Sequence, residues 1–279
     1  MSNSTGACAG GTSVDVILRV EDLSLSFGGL EVLRDASIDA LRGGVTALIG
    51  PNGAGKTALL NCISGIYRAQ SGHIWFDGKD IFGLSPERVA GLGIARSFQN
   101  LELFPSLTVV ENLLVARDQR FRGSALAAAA FYGPVRRQEI AEREAVERII
   151  DFFDLWPVRH VRAHDLAYGQ QKIVGFARAM AAEPDLLLLD EPASGLTRDE
   201  KEDLARFILR LRYDWKVSIL WIEHDLQMVM DLAERVQVLN LGQCIAHGLP
   251  EEVRKVPEVI EAYVGSETAA DEPVARLPS

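Results

Sequence analysis

Cysteine is scarce: 279 residues carry three, at Cys8, Cys62 and Cys244. They are widely spaced and odd in number, so no disulfide framework is implied and a reducing compartment is the simpler reading. No run of 18 apolar residues occurs, so there is no transmembrane helix, and any work at a membrane is done from its side. The opening MSNSTGACAGGTS lacks both a charged start and an apolar run, and so does not read as a signal peptide. Basic residues are in deficit, with 29 Lys and Arg against 39 Asp and Glu and a formal net charge of −10. That balance argues against nucleic-acid wrapping, which needs basic patches. It leaves small phosphate ligands open, because they need only a few local donors.

What is present alternates. Short apolar or β-branched runs at 16–20, 45–50, 73–78, 93–99, 186–190, 218–223 and 235–241 read as strands. Helical patterns lie at 55–65, 138–154, 170–182, 199–212 and 226–234. Strands alternating with helices indicate an α/β fold. LLLLD and SILWI are apolar on both faces, as buried parallel strands are, although pattern alone also allows a buried helix segment. Residues 1–15 read as a disordered leader and 266–279 as a disordered tail, with the folded part at 16–265. Within it, 16–100 and 183–265 form a core and about 101–182 a helical insertion. The Arg/Glu-rich run RRQEIAEREAVER at 136–148 reads as a solvated helix face with i,i+4 pairs.

The segment GPNGAGKT, Gly50 to Thr57, matches G-x-x-x-x-G-K-[ST] in full. A strand enters it and an apolar-periodic helix leaves it. Glycines let a backbone wrap a phosphate with its amides inward, and the helix N-terminus adds partial positive charge. The binding positions are Gly50, Pro51, Asn52, Gly53, Ala54, Gly55, Lys56, Thr57 and Ala58. Lys56 is placed to bridge β- and γ-phosphates, and the Thr57 hydroxyl to meet Mg²⁺. ATP and Mg²⁺ are therefore the expected ligands.

LLLLDEP ends an apolar strand in two acids. Such a pair is costly beside a core without a cation or hydrogen bonds. Asp190 can hold Mg²⁺, directly or through water. Glu191 can orient or deprotonate an attacking water.

Taken in order, GPNGAGKT, Gln99 in SFQN, LAYGQQ at 166–171, LLLLDEP and His224 in IEHD resemble the ATP-binding-cassette (ABC) ATPases, over essentially 16–265. The resemblance implies a P-loop NTPase with a mixed or parallel core sheet, an antiparallel β subdomain and an inserted helical subdomain. It implies that Phe27 stacks on adenine and that Gln99 senses Mg²⁺ and the lytic water. Ala167, Tyr168, Gly169 and Gln170 would contact ATP held by the opposite subunit, and His224 the γ-phosphate. Taken singly, Phe27 could be core packing, Gln99 a loop hydrogen bond and His224 a surface residue. FGGLEVL at 27–33, FQNLELFPSLTVVENLLVA at 98–116, IEHDLQMVM and VIEAYVG are similar to the ATPase subunits of branched-chain amino-acid importers. That implies a second ATPase subunit, identical or different, two membrane permeases, an external solute-binding protein reached indirectly, and a place on the cytoplasmic face of the membrane. No nucleic-acid partner is expected. Export of lipids, DNA repair or translation, and a regulatory module with weak turnover are the alternatives. Repair versions insert a long coiled coil, and no sustained heptads occur between residues 58 and 165. Translation versions carry two cassettes, and one is present.

Three positions depart from the family pattern. Ala167 stands where the signature serine is usual, Thr197 where the loop after Glu191 usually has aspartate, and Ala58 where a second threonine is common. Losing a hydroxyl bond to a charged phosphate costs about 1.5–3 kcal/mol, or roughly ten- to a hundred-fold. The expectation is pairing with a different ATPase, one of the two sites being slow. His160 and His164 have i,i+4 spacing but no further ligand nearby, so no metal is expected there. His73, His247 and the four tryptophans read as packing or surface residues. Ala167→Ser in the assembled transporter is expected to raise phosphate release; unchanged turnover would dismiss the missing hydroxyl as the brake.

Overall fold

The structure, a computed structural model, describes residues 15–97, 103–118 and 134–270. Strands β1 (Val16–Phe27) and β2 (Leu30–Leu41) form an antiparallel hairpin. Its turn is Gly28–Gly29, at φ 54° and 90°. Two successive left-handed residues match the strand twist, and glycine takes them without a Cβ penalty. β4 (Ser71–Phe76) pairs with the other side of β1, and β5 (Lys79–Asp80) completes a four-stranded antiparallel sheet.

The second sheet has the order β10-β9-β3-β8-β7-β6. Its strands are β3 (Val45–Ile49), β6 (Ile94–Ser97), β7 (Leu186–Asp190), β8 (Ser218–Ile222), β9 (Arg235–Asn240) and β10 (Gln243–Gly248). All neighbours run parallel except β10, which returns antiparallel on β9. This is the mixed core sheet with an antiparallel companion that the sequence implied. The helices are α1 (Lys56–Ile63), α2 (Pro86–Gly91), α3 (Val109–Asp118), α4 (Pro134–Phe152), α5 (Tyr168–Ala181), α6 (Arg198–Trp215), α7 (Leu226–Leu232), α8 (Pro250–Val253) and α9 (Pro257–Ala270).

Burial explains the doubly apolar strands. Successive side chains in a strand face opposite ways. Leu186 and Leu188 join α1 and the antiparallel sheet in one core cluster, while Leu187 and Leu189 join helices α3 to α6 in another. A third cluster packs β3 and β9 against α7, α8 and α9 through Ala47, Ile49, Val229, Val253 and Val259. The helices over the second cluster are also tied by charge. Buried Arg117 of α3 bonds Glu142 of α4, the Ala181 carbonyl at 3.0 Å and Glu183 at 2.9 Å. On α4, Arg143 pairs with Glu139 at 2.8 Å on the outer side, while Val146, Ile149 and Ile150 are buried, so the charge run is solvated at Arg143 and Glu144 but turns Glu142 inward to Arg117.

Some elements went unread in the sequence. β1 continues past residue 20 to Phe27, and β2, β5, β10 and α2 are additional. α9 reaches Ala270, beyond the tail boundary set at 266. Residues 1–14 of the leader and residues 271–279 lie outside the described residues. Trp221 is fully buried, whereas Trp156 is half exposed and lies under Arg159. His160 and His164 do not share a helix: short 3₁₀ turns cover 156–158 and 163–165, and His164 Nδ1 lies 2.7 Å from the Pro105 carbonyl. Among the described residues no group of three or more His, Cys, Asp or Glu is arranged to hold a metal.

Leu188 is fully buried between α1 and the sheet. Leu188→Ala should lower unfolding free energy by about 2–5 kcal/mol, measured by urea denaturation with an unchanged m-value.

Candidate active site

Parallel strands deliver their C-terminal ends to one edge of the sheet, where ligands gather in open α/β folds. β3, β7 and β8 end there in Ile49, Asp190 and Ile222. Gly50 follows β3 at φ 148°, and a Cβ on it would lie 1.9 Å from the Leu239 carbonyl oxygen. Only glycine lets the chain leave β3 this close to β9. Gly55 caps α1 at φ 100°, and its Cβ would lie 2.8 Å from the Val32 carbonyl oxygen. Between them Gly53 faces open space. Asn52 is exposed, and Ala54 is buried with its carbonyl accepting from the Gly242 amide at 3.0 Å. Ala58 packs on the first core cluster.

Lys56 is buried, and its Nζ donates to the carbonyls of Gly50 at 2.7 Å and Pro51 at 2.8 Å. Burial pulls the ammonium below its ordinary pKa, and Glu191 and Asp190 oppose that pull. The Thr57 hydroxyl points to Asp190 Oδ1 at 3.4 Å. The other oxygen of that buried carboxylate accepts from Arg96 Nη2 at 2.7 Å. Glu191 adopts a left-handed φ of 50°, and its amide donates to the Ile222 carbonyl at 3.0 Å. Its Oε1 lies 2.7 Å from His224 Nε2. The structure thus brings Lys56, Thr57, Asp190, Glu191 and His224 together. Gln99 lies outside the described residues.

The oxygen donors of Thr57 and Asp190 suit a hard divalent cation. Magnesium takes one or two protein carboxylate or hydroxyl ligands and fills its shell with water and phosphate oxygens. The loop fits a polyphosphate on independent grounds, with tight glycines, a helix N-terminus and a buried ammonium.

Phe27 ends β1 with its ring half exposed, edge-on to Tyr67 at 5.2 Å. It is therefore not a core residue, and a stacking face is available to a planar ligand. Ala167 is the N-cap of α5 in extended backbone, followed by exposed Tyr168 and by Gly169 and Gln170. A Cβ on Gly169 would lie 1.8 Å from Glu200 Oε1, the end of a side chain that would have to turn aside. The Ala167 amide donates to Gln170 Oε1 at 3.3 Å. A methyl group accepts nothing in return, so the first-turn amides of α5 receive no side-chain cap from Ala167.

Thr197 has a clear local task. It caps α6, its hydroxyl accepting from the Glu200 amide at 3.4 Å while Glu200 Oε2 accepts from the Thr197 amide at 2.8 Å. That reciprocal pair is a capping box.

Three site residues were not singled out in the sequence. Arg96 reaches Asp190 from β6. Glu223 is buried beside His224: its carboxylate accepts from the Ala193 amide at 3.2 Å, the His224 amide at 2.9 Å and the Trp221 indole at 3.3 Å. Lys172 of α5 is buried and donates to the Pro192 carbonyl at 3.0 Å and to that of Ser194. The only signal for them was a charge within or beside an apolar run, on a strand for Arg96 and Glu223 and on a helix for Lys172, which a solvated residue shows equally.

The family profile described as ABC transporter matches residues 33–194. The chain belongs to the ABC transporter family. A relative in Pseudomonas aeruginosa, the high-affinity branched-chain amino acid transport ATP-binding protein BraF, is 41% identical over 252 residues, 89% of this chain and 98% of its own. The Escherichia coli K12 protein LivG, of the same description, is 37% identical with the same coverage. A nucleotide-free ATP-binding cassette from an ABC transporter superposes with a TM-score of 0.77 at 32% identity, covering 89% of this chain and 98% of that one. A cassette in its ADP conformation gives 0.78 at 32%, covering 90% and 99%. Both share the overall fold of this ABC chain.

The uncapped start of α5 yields a stability test. Ala167→Ser should stabilise the isolated ABC chain by about 1 kcal/mol, raising Tm by roughly 2–4 °C in calorimetry.

Proposed function

We propose that the chain is the ATP-binding and ATP-hydrolysing subunit of an ABC importer, for branched-chain amino acids or a related small polar solute. The observation that carries the reading is the contact of Glu191 with His224 at 2.7 Å, beside the Thr57–Asp190 pair and the buried Lys56. A carboxylate held at a strand tip next to a phosphate-binding loop is placed to take a proton from water as that water attacks a terminal phosphate. The products are ADP and phosphate. The relatives named above supply the solute class, as both are described as transporting branched-chain amino acids.

Each residue then has a task. Loop amides from Gly50 to Ala58 bind the phosphates, and Lys56 gives up its two carbonyl partners to bridge the outer ones. Thr57 and Asp190, with Gln99, would hold magnesium, which when bound offsets the charge of the β- and γ-phosphates. His224 orients Glu191 and donates toward the γ-phosphate. Phe27 stacks on the adenine. Ala167, Tyr168, Gly169 and Gln170 meet ATP held by a second ATPase subunit, identical or different, so that ATP binding closes the pair and hydrolysis releases it. Closure passes through Gln99 and the helical segment at 101–182 to two permeases on the cytoplasmic face, with a solute-binding protein outside. Among the described residues no helix is long and apolar enough to cross a membrane.

The decisive variant is Glu191→Gln. It should bind ATP within about twofold of the unaltered chain and lose at least a hundred-fold in phosphate release, as expected when a general base is removed. Normal turnover would sink the assignment.

A further inference from the structure

The guanidinium of Arg96 is nearly as buried as the carboxylate it meets: the side chains are 7% and 1% exposed. Nη2 donates to Asp190 Oδ2 at 2.7 Å. Nη1 donates to Asn61 Oδ1 and, at 3.3 Å, to Ser64 Oγ. Asn61 and Ser64 follow Thr57 by four and seven residues, which places all three on one face of α1. That face is a polar strip turned toward the tip of β7, and Arg96 fills the space between them.

The consequence is a division of labour on one carboxylate. Arg96 takes Oδ2, while Oδ1 is turned to Thr57 at 3.4 Å. A carboxylate free to rotate about its terminal torsion has a broad, roughly two-fold well. A buried charged donor on one oxygen fixes that torsion and leaves the other oxygen facing the phosphate loop. The same side chain stands at the end of β6, in register with Leu188 of β7, two residues before the start of the segment 98–102 that contains Gln99.

We infer that Arg96 is a positioning residue for the divalent cation: it locks Asp190 to α1 and to the end of β6, so that Oδ1 and the Thr57 hydroxyl present a preformed pair of oxygen ligands. The inference rests on the proposed nucleotide-binding function. Bulk stability is not its content, because a purely structural role would weaken nucleotide binding equally with and without metal. A role in aiming Asp190 acts only on the increment that the metal adds. Lysine is not an adequate substitute, since one ammonium lacks the planar fork that spans Asp190, Asn61 and Ser64 together.

The test is ADP binding by the full chain, by calorimetry, in EDTA and in Mg²⁺, with Mn²⁺ paramagnetic resonance reporting the ion itself. Arg96→Lys and Arg96→Met should bind ADP in EDTA within about twofold of the unaltered chain. The gain on adding Mg²⁺ should fall at least fivefold, with a matching loss of ADP-dependent Mn²⁺ binding. Both substitutions disturb a buried ion pair, and removing a partner can unfold a protein. The double variant Asn61→Ala, Ser64→Ala keeps the Arg96–Asp190 pair and removes only its anchors. It should lose at least twofold of the metal gain, and it decides the matter if the Arg96 variants do not fold. An unchanged metal gain in folded variants overturns the role of Arg96. Failure of the unaltered chain to bind ADP at all would instead overturn the proposed function beneath it.

Discussion

Two buried cations set against two carboxylates hold the strand-tip edge together. Lys56 and Arg96 are each less than a tenth exposed, and they face Asp190 and Glu191 across the ends of β3, β6 and β7. Taking any one of these charges out of water alone would cost several kcal/mol. Close partners and satisfied hydrogen bonds are what offset the cost. Every other feature of the edge follows from that balance. The loop must offer carbonyls to Lys56, which needs the turn at Gly50. The two acids must sit on a strand end, where one stays inside with Arg96 and the other turns out to His224. The left-handed backbone at Glu191 is the point where the chain divides them.

The phosphate loop, the acidic strand end and the buried parallel strands were legible because each is written in consecutive residues. The spacing of glycines and the doubly apolar LLLLD state their own constraint. β2 and β10 were harder. Their alternation is interrupted by charged and small residues, so they carry no clean period of two, although each is joined to its partner, β1 or β9, by a two-residue turn. Arg96, Lys172 and Glu223 were not legible for a different reason, since their partners lie far from them in sequence. A lone charge flanking an apolar run becomes meaningful only when Asp190, Ser194 or Ala193 arrives from another part of the chain. Gln99 rests on the motif alone. Phe27 moved the other way, since core packing was its plain alternative and the fold leaves its ring half exposed.

The departures from the family pattern acquire different weights. Thr197 forms a full capping box on α6, so the threonine has a structural use that accounts for its presence. Ala58 is packed on the core and away from the chemistry. Ala167 has no such compensation. It occupies a cap position with no acceptor to offer, so the first amides of α5 are left to water or to an anion. An uncapped helix start of this kind costs stability in the free chain, yet it leaves its donors unpaired by the side chain and available to a phosphate.

The start of α5 is also fastened to the turn that follows β7. Lys172, one turn into that helix, grips the carbonyls of Pro192 and Ser194, while Glu223 holds the Ala193 amide from the other side and the His224 amide beside it. Burial lowers the pKa of Lys172, and Glu223, Glu191 and Glu200 act to restore it. Moving α5 relative to the turn would break bonds to a buried charge, each worth about 1.5–3 kcal/mol. These two bonds tie the helix to the turn. Residues 167–170 thus lie one helical turn from an ammonium bonded on both sides of Ala193, and Glu223 bonds the Ala193 and His224 amides together.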